Sequence, residues 1–245
     1  MKILKNMVSE SLTERSSRRV NESEDEVIEA FLNDWASDDE LEDYLEVAGK
    51  DIYVTSDFTL TPTNPSKLKD LTSPKYNLRQ VYGLDLSGSN ISSLKGCPED
   101  IGVLEVRDCK RLKNFKGMEK VIDDGSFGPV QVYASGSGIN SLEGLPQYIQ
   151  YISCEDCKGL KSLKGCPDSI ISGMNFSGCS NLVDITSHLP SDVGSGEDFV
   201  ANFDNTKISE LMWEPGNADD TDSCVVTFEN TPLADSEGTD RYVVY

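Results

Sequence analysis

Leu84-Asp85-Leu86 followed by Ile91-Ser92-Ser93-Leu94-Lys95-Gly96-Cys97-Pro98, and Ile152-Ser153-Cys154 followed by Leu160-Lys161-Ser162-Leu163-Lys164-Gly165-Cys166-Pro167, are two copies of one phrase. The phrase recurs from Val81 to the end of the chain. Taking the second apolar residue of each short strand as a marker gives Leu86, Val106, Ala134, Cys154, Phe176, Phe203 and Phe228. Two positions before each marker stands an apolar or small residue: Leu84, Leu104, Val132, Ile152, Met174, Ala201 and Val226. A period of two is the mark of a strand with one buried face.

Three residues beyond the markers stand Ser89, Cys109, Ser137, Cys157, Cys179, Thr206 and Thr231, all small side chains that can donate a hydrogen bond. Another apolar residue follows: Ile91, Leu112, Ile139, Leu160, Leu182, Ile208 and Leu233. Copies with Cys reach it six residues after the marker, and copies with Ser or Thr reach it after five. The pattern predicts strands of identical phase stacked side by side. A buried column of small donors then satisfies the carbonyls that the turn after each strand leaves without partners. A thiol suits that column as a weak donor and a good small hydrophobe.

The phrase resembles the leucine-rich repeat, with Cys, Ser or Thr where Asn is commoner. Gly96-Cys97-Pro98, Gly144-Leu145-Pro146 and Gly165-Cys166-Pro167 place a permissive residue and a helix breaker in the return turn. The resemblance is therefore to short bacterial and bacteriophage repeats. It implies an α/β repeat solenoid: a right-handed leucine-rich-repeat fold with a concave parallel β-sheet, a loop-rich convex side and an N-terminal helical cap.

Size and charge narrow the function. A single solenoid with end caps accounts for 245 residues. A formal charge of −21 argues against nucleic acid and anionic membrane, which need clustered Lys and Arg, and favours a protein partner. No apolar run is long enough to span a bilayer, and the first residues lack the apolar core of a secretion signal, so the expected location is cytoplasmic. The seven cysteines are an odd number, and repeat phase already places four of them inside. Free thiols are expected, not a disulfide framework.

Residues 1–20 read as a basic tail with Lys2, Lys5, Arg15, Arg18 and Arg19, usable for docking or targeting. Residues 21–50 read as an acidic helical cap, with twelve acids and no base between 21 and 46. Capping boxes Ser23-x-x-Glu26 and Ser37-x-x-Glu40 each precede an apolar face, and Gly49 supplies a stop, so two short acidic helices are expected over the open N-terminal end. Self-association through these helices is left open. Residues 51–80 form an irregular lead-in holding a degenerate first repeat at Leu68 and Leu71. Repeats occupy 81–235, and 236–245, ending in Arg241-Tyr242-Val243-Val244-Tyr245, form a C-terminal capping strand.

Candidate chemistry is sparse. Cys154 and Cys157 have C-x-x-C spacing, yet repeat phase places both inside, and His188 is the sole histidine. Asn217, Asp219, Thr221 and Ser223 imitate a calcium loop without its central Gly or terminal Glu. No nucleophile with a base and no phosphate-cradling loop is present, so neither enzyme activity, metal nor cofactor is expected. What remains is the outward strand surface. Tyr133 and Tyr151 stand near its middle with Arg107, Glu105, Glu155 and Asp204, a residue mix suited to protein interfaces. The expected function is non-catalytic protein binding through these residues. The Gly-Cys-Pro repeats, together with a charged, Ser-rich N-terminal tail and Leu12-Thr13-Glu14, also resemble bacteriophage head proteins, which makes a structural component of a virion the alternative. Short repeats also occur in bacterial effectors, a third possibility.

Overall fold

The computed structural model describes residues 23–36, 41–122, 125–185, 188–193, 199–211, 213 and 224–238, with the backbone of Arg241–Val244. The basic tail, the second capping box, the calcium-like loop and Tyr245 lie outside the described residues. Helix α1, residues 23–34, leads into β1 (Trp35–Ala36), a single 3-10 turn (Leu41–Tyr44), β2 (Leu45–Ala48), β3 (Asp51–Val54) and β4 (Thr59–Pro62). Then come β5 (Asn77–Asp85), β6 (Asp100–Glu105), β7 (Gln131–Tyr133), β8 (Tyr148–Ser153) and β9 (Ser169–Asn175). The chain ends in β10 (Asp192–Val193), β11 (Phe199–Asn202), β12 (Cys224–Thr227), α2 (Pro232–Glu237) and β13 (Arg241–Val244).

The architecture is a β-solenoid of about seven turns around one parallel sheet. Leu84, Leu104, Val132, Ile152, Met174, Ala201 and Val226 pair in turn from β5 to β12, and the β8–β9 ladder shifts register once, between Ile149 and Tyr151. β4 adds a rung before them, with Leu60 opposite Leu84, and Leu68 and Leu71 pack against the same core. Helix is confined to the ends among the described residues, so the α/β label does not fit. The cause is the return turn: Gly96, Gly117, Gly144 and Gly165 all take positive φ, and each return segment is too short and extended for a helix to back the sheet.

The seven donors are all buried, and they work by three rules. Each Cys donates to the marker carbonyl of the preceding rung: Cys109 Sγ to Leu86 O at 3.0 Å, Cys157 to Ala134 O at 3.2 Å, and Cys179 to Cys154 O at 3.0 Å. Each Thr donates to its own marker, Thr206 Oγ1 to Phe203 O at 2.7 Å and Thr231 to Phe228 O at 2.6 Å. A thiol has one proton. With that of Cys109 spent on Leu86 O, the Ser89 hydroxyl 3.6 Å away donates to the sulfur. Ser137 and Cys157 repeat the arrangement at 3.4 Å. The thiols thus bond back to the preceding rung, the serine hydroxyls bond forward to the next sulfur, and the threonine hydroxyls bond within their own rung.

Two further regularities belong to the turns. The residue two places after each marker is left-handed, with φ between 56° and 68°, and is Gly88, Asp108, Gly136, Asp156, Gly178, Asn205 or Asn230. Only residue types that tolerate that region occur there. The long strands also carry a second inward column, in which Val81 pairs with Ile101 and Ile149 with Ile170, and Ile170 with Val193. All five are buried.

Both ends are closed. Val27, Ala30 and Phe31 of α1 and Trp35 of β1 are buried against the first rung, where Trp35 Nε1 donates to Tyr76 Oη at 2.9 Å and that hydroxyl donates to Asp34 at 2.8 Å. Among the described residues the expected second acidic helix does not form: after one 3-10 turn, Leu45–Ala48 forms an antiparallel hairpin with Asp51–Val54. Gly49, at φ 66°, makes the tight turn. Ile52 and Val54 are fully buried when β3 pairs with β5, a gain no isolated helix offers. At the other end β13 runs antiparallel to β12. Thr231 also caps α2, accepting from Ala234 N at 3.1 Å. Thr231→Val keeps the shape but removes both bonds. It is expected to cost about 1–2 kcal/mol, measured as a lower denaturant midpoint at constant slope.

Candidate functional site

The side chains singled out in the sequence fall on the outer face of the sheet. In that face Glu105 is opposite Tyr133 and Gln131 is opposite Tyr151. The stagger brings the two tyrosine rings together, 5.6 Å between centroids and tilted by 43°. Arg107 lies over the other side of Tyr133, its guanidinium carbon 5.0 Å from the ring centre, and also pairs with Glu105 at 2.5 Å. This ion pair is about half exposed on the Arg side and worth about 0–1 kcal/mol. It positions the guanidinium more than it stabilises the fold. Tyr133 Oη donates to Gln131 at 2.9 Å.

Behind the rings, Ser135 and Ser153 hydroxyls are 3.2 Å apart and Ser153 is buried. Both tyrosines are half-buried in the face. Burial, with Tyr133 and the Glu155 charge nearby, pushes the Tyr151 phenol above its ordinary value. The Tyr151 phenol therefore stays a neutral donor over the physiological range. Five of the six nominated residues thus form one patch across β6, β7 and β8 and the turns that follow them. Asp204 does not join it. It follows β11, two rungs beyond β8, and its carboxylate accepts from Glu229 N at 2.7 Å, which is a structural task.

The buried thiols are occupied by packing. Cys154 is a marker, Cys157 bonds Ala134 O, and all seven cysteines are free. Burial pushes the thiols of Cys97, Cys166 and Cys179 up to about 12 and that of Cys224 up to about 11. An unfolded chain loses those protons near pH 9, whereas the folded chain keeps them. This contribution to stability is fully present below about pH 9 and is lost as pH rises toward 11 and 12. The urea midpoint is expected to fall between about pH 8 and about pH 10.5, and the native protein at the lower pH is expected to resist maleimide labelling.

Three further signals in the sequence mark features of the fold. Pro98, Pro146, Pro167 and Pro190 are each followed three residues later by Ile101, Ile149, Ile170 or Val193, which marks the second inward column. The Gly, Asp or Asn two places after each marker announces the left-handed turn. Lys-x-x-Lys spacing in two return segments forms a local basic surface that the net charge hides. Among the described residues no helix is long and apolar enough to cross a membrane. A comparison of the chain with family models, curated proteins and solved structures finds no match.

Proposed function

We propose that the chain is a solenoid of leucine-rich-repeat type that acts as a non-catalytic protein-binding module. Its partner docks on the strand face at Tyr133 and Tyr151, flanked by Arg107, Glu105 and Glu155. The observation that carries this reading is the aromatic pair with a guanidinium stacked on one side. Tyrosine and arginine supply much contact area for little lost freedom, and here both are held in place before any partner arrives. The acidic residues around the pair favour a neutral or cationic protein over nucleic acid or an anionic membrane.

The test is the double substitution Tyr133→Ala with Tyr151→Ala, followed by affinity capture from the native host. Both side chains lie outside the core, so the melting curve should stay within a few degrees of the parent. Loss of the truncated rings should weaken capture by about tenfold or more. Undiminished capture would sink the assignment of this face.

A further inference from the structure

The return segments carry a charge pattern of their own. In Leu112-Lys113-Asn114-Phe115-Lys116-Gly117 and Leu160-Lys161-Ser162-Leu163-Lys164-Gly165 the apolar side chains are fully buried and the four lysines exposed. Lys95 holds the position of Lys116 one rung earlier, ahead of Gly96. On the rung between the two segments stands Glu143, whose carboxylate lies 3.1 Å from Lys116 Nζ and 2.8 Å from Lys164 Nζ. One carboxylate thus ties lysines two rungs apart into a single ridge that keeps a clear positive excess. With strands about 4.8 Å apart, the four rungs from Lys95 to Lys164 span roughly 14 Å.

The chain also carries the complement of this ridge. On the N-terminal cap, Asp25, Glu26 and Glu29 of α1 and Glu42 and Asp43 of the 3-10 turn are exposed. None of these five acids, and neither Lys113 nor Lys161, makes an ion pair among the described residues. Asp25, Glu26 and Glu29 are concentrated in about one turn of α1, roughly 6 Å along its axis at 1.5 Å per residue, within the span of the ridge. We infer that the lysine ridge of one molecule docks the acidic N-terminal cap of a second copy of the chain.

Ridge and cap are different surfaces, so the contact is heterologous and leaves one of each free for the next copy, giving open-ended chains. The overall charge of −21 does not forbid it. At physiological ionic strength charges beyond about 8 Å are screened, and opposed charges in contact decide the outcome.

Sedimentation velocity of the full chain is the test. At physiological salt the protein should form species heavier than the monomer that grow with concentration, and these should vanish near 1 M salt, where screening reaches about 3 Å. Lys113→Glu with Lys161→Glu, and separately Asp25→Lys with Glu29→Lys, should each weaken association at least about tenfold. Mixing the two variants should restore it, because reversed cap then meets reversed ridge. Melting curves matching the parent certify folding; Lys113→Gln with Lys161→Gln replaces a ridge reversal that fails this check, and Asp25→Asn with Glu29→Asn a cap reversal that does. A parent that stays monomeric at every concentration, reversals without effect, or a mixture that does not reassemble would overturn the inference. Capture of polyglutamate by the ridge of a strictly monomeric parent would overturn it too, in favour of a foreign acidic partner.

Discussion

Gly165→Ala lowers the melting temperature by roughly 5–15 °C, the effect of about 2–5 kcal/mol in a chain of this size. The residue has φ 86°, a conformation that costs an L side chain about 1–2 kcal/mol by itself. An added Cβ would also stand 2.5 Å from Glu143 N and 2.7 Å from Glu143 Cα. Those atoms are backbone of the neighbouring rung, which no rotamer change can move aside. Calorimetry measures the shift. A change of less than about 2 °C would mean that the rungs do not approach each other closely at their return turns.

Phe203→Ala is expected to cost about 3–5 kcal/mol. The ring is fully buried and stacks on Phe176 at 5.9 Å between centroids, 9° from parallel. Its column changes from Leu86, Val106, Ala134 and Cys154 to three successive phenylalanines, so the C-terminal half of the interior depends on ring stacking. In a solenoid each repeat touches only its neighbours. The loss should therefore appear first as faster amide exchange in β11 and β12, with β5 and β6 still protected. Uniform loss of protection along the chain would contradict that local picture.

The stacked rungs were legible because their side chains obey position-specific rules that need no knowledge of distant contacts. A marker, a donor three residues on and an apolar residue two or three beyond fix which atoms face inward at every turn. The N-terminal cap was not legible to the same degree. Leu41, Tyr44 and Leu45 fit a helical face, while Leu45 and Val47 fit a strand equally well, and the choice is made by pairing with β3. Such pairing leaves no local trace. α1 was legible because Val27, Ile28, Phe31 and Leu32 share one face at helical spacing, although Trp35, in phase with them, belongs to β1.

The patch around Tyr133 and Tyr151 could be anticipated because residues at equal phase on successive rungs become neighbours. Its electrostatic detail could not. The placement of Arg107 over a ring and against Glu105 depends on rotamers, and Asp204 was diverted to a backbone amide on the next rung. The lysine ridge illustrates the opposite error. Net charge is a property of the whole chain, whereas a binding surface is set by the few residues a turn brings together.

The measurement closest to the central claim, that strands of equal phase lie side by side with their markers in one column, is cysteine cross-linking on the outer face. Glu105 pairs with Tyr133 across β6 and β7, and Asn175 with Asn202 across β9 and β11. Adjacent strands are about 4.8 Å apart, within the reach of a disulfide. Glu105→Cys with Tyr133→Cys, and Asn175→Cys with Asn202→Cys, should each form an intramolecular disulfide under mild oxidation, identified by peptide mass mapping. Glu105→Cys with Asn175→Cys, three rungs and roughly 14 Å apart, should not. Failure of both paired variants, or equally fast closure of the distant pair, would contradict the stacked-rung fold.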